Sequence, residues 1–153
     1  MKKITLIYVG NIKKKFLKET KDYYLKLLRP YINFKEIIIK PEKFNDNNKS
    51  KIIKEENEKI LKILKNFSES KIFILSEGGN SFDSISFNQK VVQPNSEMVF
   101  VVFGSLGFAR KEFEQYEKIS LSKLTFPHEL SQVILLEQIY RSITISRNKT
   151  YHY

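Results

Sequence analysis

Short apolar runs alternating with helical segments predict an α/β domain on a mostly parallel sheet. Residues 98–103 (MVFVVF) are apolar on both faces, as a central parallel strand covered by helices should be. The runs 71–75 (KIFIL) and 98–103 each lead straight into a glycine-bearing polar segment, SEGGNS and GSLG. The length, 153 residues, fits one domain large enough for a sheet covered by helices, so residues 1–153 are read as a single domain.

Residues 3–9 (KITLIYV) form the first strand, ended by Gly10. Residues 13–29 are amphipathic, with Phe16, Thr20, Tyr23, Tyr24, Leu27 and Leu28 at helical spacing, and Pro30 stops the helix. A β-branched strand at 34–39 is closed by Pro41, and the polar loop FNDNNKS follows. Residues 49–67 read as a charged helix with Ile52, Ile53, Ile60, Leu61 and Leu64 inward. After the strand at 71–75 come a short helix at 84–92 and the central strand. A second short helix at 111–116 and a brief strand at 119–121 complete this part.

The last helix, 127–147, organises the chain. Pro127 suits a first helical position, where its missing N–H would be unpaired anyway, and Glu129 adds negative charge to the first turn. Val133, Leu136, Tyr140 and Ile143 share one face, Leu130, Ile134 and Ile145 another, and Leu135 and Ile139 fill the gap. Such a helix has one face for its own sheet and a second that needs a partner, read as another copy of the chain. The tail ends in Tyr151-His152-Tyr153; two rings and an imidazole at a terminus suggest that it is held or meets a ligand.

Composition excludes several classes. With no cysteine there is no disulfide framework and no thiolate metal site, and two distant histidines are too few for zinc. No apolar run approaches the ~20 residues of a membrane span. The apolar stretch of the first residues is too short for a signal peptide. The expectation is a soluble, cytoplasmic protein that needs no metal. The net charge is +10 and lies unevenly: residues 1–66 carry 18 Lys/Arg against 8 Asp/Glu, residues 67–153 carry 9 of each. A basic half suggests a polyanion footprint; the plainer alternative is that lysine-rich helices are solvated faces.

Ligands of open α/β sheets bind beyond the carboxyl ends of the strands. Three exits stand out there: Leu75 into SEGGNS, Phe103 into GSLG, and Leu121 into SKLTF. The glycines permit close backbone approach, or are ordinary turn glycines. No dinucleotide fingerprint, Walker lysine or G-x-S-x-G is present. His128 at a helix start reads as a structural hydrogen-bonding residue, whereas nothing structural requires His152. Glu137 and Arg141, four apart, can pair, and Arg141 can also face a phosphate.

The run LTFPHELSQVILLEQIYRSITISRNKTYHY resembles the C-terminal signature of the RlmH family (formerly YbeA), small SPOUT-class methyltransferases. KITLIYVG, LSEGGNSFDS and VFVVFGSLG match the family's other segments, so the resemblance covers the whole length. It implies a SPOUT-type α/β knot, a parallel-rich sheet flanked by helices with a C-terminal trefoil knot. It also implies S-adenosylmethionine bound by three loops, with Leu75, Phe103, Gly104, Leu121, Ser122, Lys123, Leu124, Thr125 and Phe126 as cofactor contacts. His152, Arg141 and Tyr153 are the implied catalytic and substrate-positioning residues. The implied partners are a second copy packed through the C-terminal helix and ribosomal RNA on the assembled ribosome. The implied reaction methylates N3 of a pseudouridine in helix 69 of the large-subunit RNA. His152 would accept the N3 proton or stabilise the charge left behind. Departures from the pattern are Phe103-Gly104 for Gly-Gly, Gln132 for Arg, Ser76 for an acid, Asn80 for a base and Tyr153 for Arg or Lys. A ribosome-binding homologue that has lost catalysis and a tRNA-directed relative are the alternatives.

Overall fold

A computed structural model describes residues 1–153. Five strands, β1 (Lys2–Val9), β2 (Ile32–Ile39), β3 (Lys71–Ser81), β4 (Glu97–Val102) and β5 (Glu117–Ser120), form one sheet in the order β2-β1-β4-β3-β5. Every pairing is parallel. The helices are α1 (Lys15–Leu28), α2 (Lys49–Leu64), α3 (Ser84–Phe87) and α4 (His128–Ser146). Helices that join parallel strands run antiparallel to them, so α1 and α2 begin at the carboxyl edge of the sheet, and α4 follows the carboxyl end of β5.

Two apolar layers hold the sheet. On one face Ile4, Leu6, Phe73 and Phe100 meet Leu135, Leu136, Ile139 and Ile143 of α4, beside Leu28 of α1. On the other, Ile7, Val99 and Val101 meet Ile60 and Leu64 of α2 together with Phe103 and Phe113. Met98, Val99, Phe100 and Val101 are fully buried, as their two-sided apolarity requires. A buried cation ties the first layer together. Lys21 of α1 pairs with Glu36 of β2 and donates to the Tyr8 hydroxyl and to Gln132 Oε1 of α4, each at 3.1 Å. Burial, with the Glu36 carboxylate alongside, pushes the Tyr8 hydroxyl well above its ordinary range.

Four elements differ from the sequence expectation. The third strand continues past Leu75: its register with β5 breaks between Leu75 and Asn80 and resumes at Asn80–Ser81. Gly79 allows this, because a Cβ there would stand 2.6 Å from the backbone nitrogen of Ile119. Residues 84–92 are one α turn and then a π-helical turn (Asn88–Val92), the buried Asn88 accepting from the Ser146 hydroxyl at 2.9 Å. The second short helix is a 3-10 turn, Arg110–Phe113, and the last strand lies at Glu117–Ser120. In short segments such contacts outweigh periodicity. No helix is long and apolar enough to cross a membrane.

Candidate active site

The exits of β3, β4 and β5 converge on one cleft of about 660 Å³. Leu75, Phe103, Gly104, Leu121, Ser122, Leu124, Thr125 and Phe126 all line it. Lys123 does not; it stands exposed on the loop. Glu77, Arg110, His128 and Ser131 also line the cleft. The strand-exit rule reaches Glu77, two residues past Leu75. Arg110 and the first turn of α4 enter only through the tertiary fold.

Each wall is held from behind. Gly107 has φ +76, and its N–H closes a turn onto the Gly104 carbonyl at 3.0 Å. That left-handed backbone suits glycine. A Cβ at Gly104 would stand 3.4 Å from Cβ of Val9, so β1 presses directly on the loop. From α2 the buried Asn57 accepts the Ala109 N–H at 2.9 Å and donates to the Ile53 carbonyl at 2.6 Å. Phe103 stacks on Phe108 at 4.5 Å and meets Phe113 edge-on at 5.0 Å. Its ring is therefore part of the α2-side core, only 7% exposed, and does not fill the cleft. In the third wall the Leu124 N–H donates to Ser122 Oγ at 3.0 Å and the Ser120 hydroxyl to the Ser122 carbonyl at 2.8 Å. The Lys13 N–H donates to Glu129 Oε1 at 3.2 Å, fastening the start of α4 to the exit of β1. Where the resemblance expects an arginine, Gln132 is fully buried and bonded to Lys21, so α1 supplies a positive charge there.

The terminal residues gather elsewhere. Arg141 donates through Nε and Nη2 to Glu137 Oε1 at 3.0 and 2.6 Å, and Nη1 lies 3.2 Å from His152 Nδ1. Tyr151 donates to the same Glu137 oxygen at 3.1 Å, and the guanidinium lies 4.7 Å from its ring centre. Burial, then the Tyr24 hydroxyl and the Glu137 carboxylate, raise the Tyr151 hydroxyl well above its ordinary range. Tyr153 is fully exposed, its ring 5.3 Å from the imidazole. None of Arg141, His152 and Tyr153 lines the cleft of its own chain. Ten residues of helix, about 15 Å, separate Ser131 at the cleft from Arg141. Because a guanidinium only donates, His152 Nδ1 accepts from Arg141, which leaves the ring proton on Nε2. No three His, Asp or Glu side chains cluster as a metal site.

A parallel sheet whose strand exits fold over one loop-walled cleft is the architecture of an α/β domain that binds a ligand at the carboxyl edge of its sheet. The family described as "Predicted SPOUT methyltransferase" matches residues 1–152, and the chain belongs to it. A protein of Kosmotoga olearia named "Ribosomal RNA large subunit methyltransferase H" is 36% identical over 98% of this chain and 99% of its own length. One of the same name from Clostridium acetobutylicum is 39% identical over 97% of this chain and 98% of its own. Among solved structures, "a probable methylase family protein" from Haemophilus influenzae covers 96% of this chain with a TM-score of 0.54. That alignment spans 68% of the solved chain at 11% sequence identity, a likeness of fold alone.

Proposed function

We propose that this methyltransferase uses S-adenosylmethionine to methylate N3 of a pseudouridine in helix 69 of large-subunit ribosomal RNA, in the cytoplasm. The observation that carries the reading is the meeting of three strand exits in one cleft (Leu75, Phe103-Gly104 and Leu121 to Phe126). The names of the relatives support the RNA class. The cleft fits a nucleoside donor: its walls combine apolar side chains such as Leu75, Leu106, Leu121 and Phe126 with turn backbone open to close approach at Gly104 and Gly107. When bound, the donor supplies a methyl group already activated on a positively charged sulfur.

What remains for the protein is alignment and the charge left on the base as N3 loses its proton. Arg141 and the Nε2–H of His152 are donors suited to the imide oxygens of such a base, which makes His152 a charge stabiliser and leaves the proton to solvent. They reach the reacting atoms from a second copy. Leu130, Ile134 and Ile145 stay half-exposed along the outer side of α4, and beside them on α1 Phe16 and Tyr23 are 63% and 57% exposed. Pairing α4 with itself about a two-fold axis lays the carboxyl end of one helix on the amino end of the other. Each terminal cluster then faces the partner's cleft. We further infer the trefoil knot of the C-terminal half, supported by family membership.

Mass spectrometry of ribosomal and transfer RNA from a strain lacking the gene tests the proposal. Loss of one methyl group from a large-subunit pseudouridine, restored by the gene, is expected. Loss from tRNA, or no loss, contradicts it.

A further inference from the structure

We propose that Lys13, Lys14, Lys15, Arg110 and Lys123 form a phosphate-binding collar around the mouth of the cleft, and that most of the remaining positive charge does not contact RNA. The inference rests on the RNA-methyltransferase reading and says which residues hold that substrate. Sequence order hides the collar, because its members come from the basic first half and the neutral second half alike. The fold collects them. Arg110 lines the cleft, and Lys123 stands exposed on the loop that forms its third wall. Lys13 is fastened through its backbone to Glu129, the neighbour of the cleft residue His128, and this places the lysine run on the same rim.

The collar is also free to bind. All five side chains belong to exposed residues, and Lys15 alone has an ion-pair partner, the exposed Glu19 at 3.7 Å. Such a pair holds its members weakly. The first turn of α1 contains no acidic residue, and the Glu129 carboxylate beside it accepts from the Lys13 N–H. Several cations elsewhere are engaged by the fold. Lys21 is buried against Glu36, Lys59 holds Glu42, Lys71 holds Glu117, and Lys2 donates to the carbonyls of Gln93 and Asn95. Lys26, Arg29 and Lys62 are exposed and lie at the far ends of α1 and α2, on the opposite edge of the sheet from the cleft. A solvated lysine surface would treat both edges alike; a docking surface for an extended polyanion would not.

Two triple variants of equal charge change separate these cases. One is Lys13→Gln with Lys14→Gln and Lys123→Gln; the other, at the opposite edge, is Lys26→Gln with Arg29→Gln and Lys62→Gln. Each is titrated against ribosomes purified from a strain lacking the gene, over a range of salt, and against S-adenosylmethionine by calorimetry. For the collar variant the expected result is ribosome affinity reduced at least about tenfold, with the log–log salt slope flattened by about 2–3, one phosphate contact per lysine. The opposite-edge variant should match wild type within about twofold, and donor binding should be unchanged in both. Equal losses in the two variants, or no loss in the collar variant, overturn the collar while leaving the enzyme reading intact. Wild-type protein that binds neither donor nor ribosome overturns both.

Discussion

An added Cβ at Gly79 would sit 2.6 Å from backbone atoms of Lys118 and Ile119, and backbone cannot yield as a side-chain tip does. Gly79→Ala should therefore displace β5 and lower stability by about 1–3 kcal/mol. Urea unfolding would show this as a lower midpoint at an unchanged slope. An unchanged midpoint would contradict the tight packing of the β3 extension. His152 offers a chemical test at the same scale. With Nδ1 accepting from Arg141 it presents a donor, so His152→Gln, whose amide keeps an N–H donor but is no base, should retain far more methyl transfer than His152→Ala. His152→Ala should slow transfer about 100-fold. A His152→Gln variant as slow as His152→Ala would instead make His152 the base. Sequence shows His152 as a residue without a structural duty but not its tautomer, since the guanidinium beside it lies eleven positions away.

Most elements were legible because each carries its own period. The buried β4 and the helices α1, α2 and α4 were all visible as patterns, within a few residues at their ends. The extension of β3 was not, because SEGGNS has no strand period and pairs only where β5 supplies its backbone. The role of α2 behind the cleft was equally hidden. Asn57 and Glu56 read as polar helix surface, yet both are buried, and Glu56 approaches Gly104. Burial, outweighing the Glu42 backbone and Lys59, pushes the Glu56 carboxyl above the usual range. The folded state then holds that proton more tightly than the unfolded one, so ionised Glu56 opposes folding at neutral pH. This penalty disappears below the ordinary carboxylate value of about 4.3, where both states are protonated. Glu56→Gln should accordingly raise the unfolding midpoint at mildly alkaline pH and leave it unchanged in acid. Equal midpoints at both pH values would mean that Glu56 is solvated.

Over the whole molecule, the separation of cleft and terminal cluster is the feature with the largest consequence. The three strand exits singled out in the sequence gather in one cleft, whereas Arg141, His152 and Tyr153, implied as catalytic, lie away from the cleft of their own chain. The proposed second copy would answer that separation, and the half-exposed outer stripe of α4 is the surface it would cover. Ile134→Glu should give a monomer by analytical ultracentrifugation and abolish methyl transfer while donor binding persists. Mixing inactive Gly104→Val protein with inactive Arg141→Ala protein should restore up to about a quarter of wild-type activity in statistically formed mixed dimers, each with one intact shared site. No restoration after subunit exchange would contradict the shared site. In the proposed function the loops at Leu75, Gly104 and Ser122 bind the methyl donor. Calorimetric titration with S-adenosylmethionine tests it most directly. One micromolar site in the wild type, lost in Gly104→Val of unchanged fold, is the predicted result; no heat at high donor concentration would contradict the account.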